Sequence, residues 1–360
     1  MFEDRRRKFR HWMAREKIGG FLIHSTYNRF YLSGFMGSEG YLFITQREVL
    51  LIVDFRYSEK AAKFAGRDLA VETTAFSLGL EDFALNLVKK RRLKRVGFEA
   101  HLTNFGEYER WKSALGRGTL IPTSGAVERL RAFKSKDEIT LIEKACKILG
   151  AAYAHVYRTL KPGVTEREAA IDMEHFIRTH GAQNPAFNTI FISGKNTSMP
   201  HGTPGDKVIK ENDLITVDAG VLAGGYCSDV TRTFFLGEKV PKEVREVYRI
   251  VEEAQARAGE AIRAGVTGRD ADAAARNFIA RAGFEKAFGH GLGHGIGLEV
   301  HESPRLSALS KDTLQAGMVV TNEPGIYLPG KFGVRIEDIV VVERNGIRNL
   351  TSFIPKRLEV

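Results

Sequence analysis

Cysteine is nearly missing from the 360-residue chain: Cys146 and Cys227 stand far apart, without metal-type spacing. A disulfide framework and a cysteine-based zinc site are both excluded. Proline is absent from the first 121 residues, and all 10 prolines lie at position 122 or later. No apolar run approaches the ~18 residues needed to cross a bilayer. Met1-Phe2-Glu3-Asp4 leads straight into Arg5-Arg6-Arg7-Lys8 with no apolar segment behind it, which argues against a signal peptide. A cytoplasmic protein with no membrane partner is expected.

What is present points to a folded, two-part chain. With 43% hydrophobic and 10% aromatic residues, a substantial core can form. The length exceeds the ~250 residues at which single cores usually stop growing, so two domains are expected. The net charge of +10 lies wholly in residues 1–135, which hold 25 Lys+Arg against 15 Asp+Glu; the remainder holds 29 of each. Two basic runs, Arg5 to Lys8 and Lys89 to Arg95, raise a nucleic-acid reading. No aromatic residues interleave with them, and solvated helix ends account for both runs.

In the first region, short apolar runs (21–23, 41–44 and 49–53) alternate with stretches of helical spacing near 3–17, 56–65, 80–92 and 104–115. The pattern predicts a small α/β domain over 1–121. Pro122, Gly125 and a charged run mark 122–136 as a linker. Residues 137–360 contain a duplication: Leu160-Lys-Pro-Gly-Val-Thr-Glu-Arg-Glu-Ala repeats as Ile262-Arg-Ala-Gly-Val-Thr-Gly-Arg-Asp-Ala, 102 residues on. Each copy reads as a long helix (136–159, 242–263), a turn and a second helix (165–180, 267–282), followed by strands. An α+β domain with internal pseudo-two-fold symmetry is expected, since a solenoid needs more copies.

Carboxylates recur in the strands of that domain. Ile215-Thr216-Val217-Asp218-Ala219-Gly220 and Tyr226-Cys227-Ser228-Asp229-Val230-Thr231 read as a hairpin. Turning at Ala223-Gly224, it would set Asp218 directly opposite Asp229, ~5 Å apart. Facing like charges in a strand are unfavourable unless a cation lies between them. Glu323 and Glu337 are equidistant from Gly330, so a second hairpin centred there would unite them as well. Gly289-His290-Gly291-Leu292-Gly293-His294-Gly295-Ile296-Gly297 is too glycine-rich for a helix, which excludes the HExxH arrangement. It also lacks the spacing of a phosphate loop, and its glycines let the backbone approach a crowded centre. His301 ends a strand-like Glu299-Val300-His301, and His201 stands alone in Met-Pro-His-Gly-Thr-Pro, where a structural role is the commoner reading. This oxygen-rich set suits Mn²⁺ and similar ions, and four carboxylates can bridge two of them about 3.5–4 Å apart to activate a shared water.

Val-Asp218-Ala-Gly, Ser-Asp229-Val-Thr-Arg-Thr, Gly-His290-Gly-Leu-Gly-His294-Gly-Ile-Gly, Asn-Glu323-Pro-Gly and Val-Arg-Ile-Glu337-Asp resemble the motifs of the pita-bread metallopeptidases over roughly 136–345. Asn-Arg-Phe-Tyr-Leu-Ser-Gly-Phe and Asp54-Phe-Arg-Tyr resemble, more loosely, the creatinase-type N-terminal domain, which points to the Xaa-Pro branch of prolidase and aminopeptidase P. The resemblance implies Asp218, Asp229, His294, Glu323 and Glu337 as ligands of two divalent ions, Mn²⁺ foremost, with Co²⁺ or Zn²⁺ as alternatives. Asp229 and Glu337 would bridge, and Glu323 would also be the general base. His201, His290 and His301 match histidines that hold substrate and shuttle protons, and Arg335 matches a supporting arginine. Creatinase and binding-only relatives have lost ligands that this chain keeps, which favours a peptidase over a non-catalytic nucleic-acid or partner-binding module. His301-Glu302-Ser303-Pro304-Arg305 resembles the prolidase segment whose arginine faces the free carboxylate of a dipeptide. That leans the expectation to Xaa-Pro dipeptidase, with aminopeptidase P acting on longer peptides as the alternative and Arg305 as a solvated loop arginine in that case. Short proline-containing peptides are the implied substrates. The first domain is implied to cover the active site within a homodimer, and Cys227 to be a small packed residue.

Overall fold

Strands β1 (Gly20–Ile23), β2 (Tyr41–Thr45) and β3 (Val49–Val53) are buried along their whole length, which is why they read as unbroken apolar runs. The computed structural model describes residues 1–75, 77–116 and 118–360. The chain forms two units, Met1–Arg131 and Ala132–Val360. In the first, β4 (Ala70–Thr73), β5 (Val96–Glu99) and β6 (Leu120–Thr123) complete a six-stranded sheet ordered β4-β3-β2-β1-β5-β6. Helices α1 (Phe2–Arg15), α2 (Thr26–Ser33), α3 (Ser58–Ala62), α4 (Leu80–Lys90), α5 (Phe105–Leu115) and α6 (Glu128–Arg131) accompany it. Leu85, Val88 and Trp111 pack against Leu22, Phe43 and Phe98 in one core. This is the expected α/β unit.

Two readings of this region change. The stretch expected as a linker, 122–136, instead contributes to folded elements. Pro122 and Thr123 pair in parallel with Phe98 and Glu99 at the sheet edge, where a proline's missing N–H costs no ladder bond, and Glu128–Arg131 is helical. The run Arg5 to Lys8 is not wholly a solvated helix end either. Arg5 and Arg6 are buried; Arg5 donates to Tyr31 O and Arg6 to Leu32 O and Asp68.

The second unit is built from helices α7 (Lys136–Thr159), α8 (Glu166–Thr179), α9 (Lys242–Ala261) and α10 (Gly268–Ile279). The duplication is visible in its caps: Thr165 and Thr267, 102 residues apart, accept from the backbone N–H of Glu168 and Asp270 at the N-termini of α8 and α10. After the first helix pair come β7 (Asn184–Pro185), β8 (Ile190–Ser193), β9 (Leu214–Ala219), β10 (Val221–Ala223), β11 (Tyr226–Cys227) and β12 (Val230–Phe235). After the second come β13 (Gly293–Gly295), β14 (Glu302–Leu306), β15 (Val319–Asn322), β16 (Gly325–Leu328), β17 (Phe332–Arg335), β18 (Asp338–Glu343) and β19 (Gly346–Asn349). Their sheets are ordered β12-β9-β8 and β11-β10-β7 in the first half, β14-β13-β15-β18-β19 and β16-β17 in the second. Each half has its own core, around Tyr153, Met173, Val217 and Phe234 in one and Val247, Val251, Val320 and Val340 in the other. The segment 299–301, expected as strand, is a bend; pairing begins at Glu302.

Candidate metal centre

The first hairpin turns one residue later than its sequence implies. Gly224 and Gly225 both have positive φ (61° and 83°), as a two-residue turn of this hand requires, and Ala223 pairs with Tyr226. The register therefore shifts by two, so that Asp218 faces Thr231 instead of Asp229. Because side chains alternate with a period of two, the shift leaves both carboxylates on one face, in diagonal rather than direct opposition. Asp229 precedes β12 and lies across from Gly220, where an added Cβ would come within 2.5 Å of Ser228 O. A glycine is needed there for close approach.

The second hairpin is centred on Gly330 as its sequence implies. Gly325 pairs with Arg335 in β16–β17, and Asn322 with Asp338 in β15–β18. Glu323 and Glu337 follow that last pair, at the point where the two strands leave the ladder. Strand β13 delivers His294 beside them. An added Cβ on Gly293 or Gly295 would lie 2.2 Å from Thr321 O or Ser303 O, so the expected role of these glycines in close approach is met.

Three candidate ligands, Asp229, His294 and Glu337, bring one donor atom each within 4.8 Å of one another, all buried. His294 Nε2 lies 3.3 Å from Glu323 Oε1 and 3.7 Å from Asp229 Oδ2, while its Nδ1 donates to Gly295 O. That bond fixes the tautomer and leaves the Nε2 lone pair turned toward the carboxylates. Thr231 donates to Glu337 at 2.7 Å and Thr321 to Glu323 at 3.0 Å, and Arg335 pairs with Asp218 at 2.7 Å.

So many carboxylates cannot all ionise together without a cation. Burial pushes Asp229 well above the usual carboxylate range, and repulsion from Glu337, Asp218 and Glu323 pushes it further. Glu337 is raised well above its ordinary value by burial, then by Glu323 and Asp218. Asp218 rises too, burial outweighing the help of Arg335. Burial also acts to raise Glu323, but His294, His290 and Arg335 together hold it down to about 2. Asp218 Oδ1 and Glu337 Oε1 are buried without a hydrogen-bond partner among the described residues, as oxygens awaiting a cation would be. Carboxylates with one imidazole suit divalent ions, and the residues fit such a centre.

All ten residues singled out in the sequence line one cavity of about 780 Å³: Asp218, Asp229, His201, His290, His294, His301, Arg305, Glu323, Arg335 and Glu337. The histidines differ in their freedom. His290 donates from Nδ1 to Gly291 O and accepts from Tyr327 OH at Nε2, 3.0 Å away, so both ring nitrogens are engaged. His201 and His301 form no hydrogen bond among the described residues. Burial lowers the pKa of both His290 and His301. Sequence reasoning missed Tyr327, Thr231 and Thr321. Tyr327 OH receives Arg335 Nη1 at 2.8 Å, which completes a chain from Asp218 through Arg335 and Tyr327 to His290. The register about Gly330 contained that signal, because it places Tyr327 diagonal to Arg335 on one face. Cys227 is buried, its Sγ 3.7 Å from Leu298 O.

Buried carboxylates from two hairpins, a histidine whose tautomer leaves Nε2 toward them, and a cavity above them are the parts of a hydrolytic metal centre. Residues 140–344 match metallopeptidase family M24, and residues 5–133 match the creatinase/prolidase N-terminal domain. The chain belongs to metallopeptidase family M24. It is 36% identical to the Xaa-Pro dipeptidase of Pyrococcus horikoshii over 98% of both chains. Among solved structures it resembles an Xaa-Pro dipeptidase from Bacillus anthracis (38% identity, TM-score 0.95, 100% of both chains). It also resembles an X-Pro aminopeptidase from Thermotoga maritima (37% identity, TM-score 0.89, 96% of this chain and 98% of the other). The pita-bread fold, the creatinase-type first domain and the peptidase class expected from the motifs are thereby met, and the family implies divalent metal ions.

Proposed function

We propose that this metallopeptidase is an Xaa-Pro dipeptidase, hydrolysing the bond between an N-terminal residue and a C-terminal proline. The observation that carries the reading is the place of Arg305. It is the cross-strand partner of His294, it lines the cavity, and its guanidinium has no hydrogen-bond or ion-pair partner among the described residues. Directly paired residues project from the same face, so the guanidinium is in reach of a substrate held at the carboxylate cluster. A planar fork beside the site suits the free carboxylate that only a dipeptide presents next to its scissile bond. A second reading, aminopeptidase P, draws support from the likeness to the X-Pro aminopeptidase structure.

Asp218, Asp229, His294, Glu323 and Glu337 would hold two ions, Mn²⁺ being the best match to the donor set. Bound there, the ions supply Lewis-acid chemistry to the peptide carbonyl and to water. Glu323, anionic at any working pH, accepts the proton of the attacking water. His201 and His301, whose ring nitrogens have no hydrogen-bond partner among the described residues, would face the substrate carbonyl as it gains charge. Arg335 remains a buried cation, because Tyr327, Asp218 and both glutamates outweigh its desolvation, and it orients Asp218 and Tyr327. Catalysis belongs to Ala132–Val360, which contains every one of these residues. The working protein is taken as a cytoplasmic homodimer; among the described residues no helix is long and apolar enough to cross a membrane.

Arg305→Ala separates the two readings. Loss of a charged hydrogen bond of about 1.5–3 kcal/mol lowers kcat/KM for an Xaa-Pro dipeptide by roughly 10- to 150-fold. Cleavage of an Xaa-Pro tripeptide should change by less than about threefold, because its proline bears no free carboxylate. Equal losses on both substrates would remove the carboxylate clamp and favour the aminopeptidase.

A further inference from the structure

The internal duplication places Tyr153 of α7 and Gln255 of α9 at equivalent positions, 102 residues apart. Both are buried, and both reach the strands that carry the carboxylates of their own half. Tyr153 OH lies 3.0 Å from Val217 O and 2.7 Å from Val230 O. Val217 immediately precedes Asp218, and Val230 immediately follows Asp229. Gln255 Nε2 donates to Asn322 O at 3.1 Å and to Ile336 O at 3.2 Å. These are the carbonyls immediately before Glu323 and Glu337. Asn322 Nδ2 returns a bond to Gln255 O at 2.9 Å. Two different side chains therefore make the same contact: one donor on the long helix is shared between two carbonyls, one on each carboxylate-bearing strand.

We propose that Tyr153 and Gln255 are paired positioning residues, each fixing the separation of the two carboxylates in its half and so the spacing of the metal centre. The inference rests on the reading that these carboxylates hold the ions. Its physical basis is that ligands sit where regular pairing is interrupted. Glu323 and Glu337 fall between the Asn322–Asp338 and Gly325–Arg335 pairs, and Asp229 falls between β11 and β12. A donor bridging a carbonyl on each strand ties the two sides together beside that interruption. The chemistry of the donor is free to vary, hydroxyl in one half and amide in the other, provided it reaches both acceptors.

Metal binding, rather than turnover, is the informative readout. Metal-free full-length protein is titrated with Mn²⁺ by calorimetry, for wild type, Tyr153→Phe, Gln255→Leu and Val247→Ala. The last variant truncates a buried core residue of α9 whose side chain carries no hydrogen-bond donor. Tyr153→Phe removes one hydroxyl and keeps the ring, so the fold is preserved even where Gln255→Leu proves unstable. The expected result is Mn²⁺ affinity 10- to 100-fold weaker in both positioning variants, with Val247→Ala lowering Tm at unchanged affinity. Wild-type protein that binds no Mn²⁺ would remove the metal-centre reading itself. If wild type binds, and the two variants stay within about twofold of it or weaken no more than Val247→Ala, the positioning role is overturned.

Discussion

Asp229→Asn is expected to abolish peptide hydrolysis while making the metal-free protein more stable. The two effects have one origin. Asp229 is buried beside Glu337 and near Asp218 and Glu323, so without a cation its charge is opposed by desolvation and by like charges. A raised folded-state pKa contributes stability fully below the ordinary carboxylate value of ~3.9 and loses it as pH rises through the raised value. Metal-free wild type should therefore become less stable from mildly acidic to neutral pH. The asparagine variant lacks one source of that loss, and at pH 7 its Tm should rise by about 2–4 °C for each kcal/mol of relieved repulsion. With Mn²⁺ the order reverses. In the proposed centre wild type would gain a cation to offset its carboxylates, whereas the variant would lose a ligand and with it several kcal/mol of transition-state stabilisation, roughly 10³-fold in kcat/KM. Metals per chain from elemental analysis and Tm with and without Mn²⁺ report both halves. Unchanged metal content, or a metal-free variant less stable than wild type at neutral pH, would contradict this account of the cluster.

The second large effect concerns the support behind Glu337. Arg232 and Asp338 form a buried ion pair at 2.8 Å, with side chains only 1% and 2% exposed. Arg232 also donates to Glu337 O and Ile354 O, while Lys356 meets the other oxygen of Asp338 at 2.8 Å. Burial opposes the charge on Asp338, but Arg232 and Lys356 win and hold its carboxyl well below the usual range. Asp338→Asn strands Arg232 without a counter-charge and should cost about 3–5 kcal/mol at pH 7. A depressed pKa gives stability that is present above the ordinary value of ~3.9 and disappears as pH falls through the lowered one. The gap between wild type and variant in urea unfolding should thus be flat from pH 5 to 8 and narrow only on strong acidification. A cost below about 1 kcal/mol, or a gap that narrows near neutral pH, would mean the pair does not fix the strand.

The helices α1, α4, α5 and α7 to α10 were legible because apolar residues recur at helical spacing and several N-termini carry caps. Ser135 with Glu138 and Thr165 with Glu168 form reciprocal capping boxes. Helix α2 was not legible, since its buried residues include the polar Asn28, whose partner Glu99 lies far along the chain, and Arg29, which satisfies the carbonyls of His24 and Gly40. Strands β4 and β5 escaped for opposite reasons: β4 is mostly exposed and polar, and Gly97 interrupts the short apolar run of β5. At the site, the second hairpin could be centred on Gly330 from sequence, whereas the first required a choice between two adjacent turns. The Gly224-Gly225 pair, with both residues at positive φ, decides it. The histidines could be named but not ranked, because only the fold shows His290 bonded at both nitrogens while His201 and His301 form no hydrogen bond among the described residues. Tyr153 and Gln255 were invisible as functional residues, each reading as one more buried position on an amphipathic helix.

Exhaustive chelation followed by stepwise return of Mn²⁺ tests the central claim most directly. Metal-free protein, verified by elemental analysis, is assayed on an Xaa-Pro dipeptide. Hydrolysis should be absent, then recover as the chain takes up about two ions, the number that four carboxylates can bridge. Hydrolysis that persists after complete removal of metal would contradict the account.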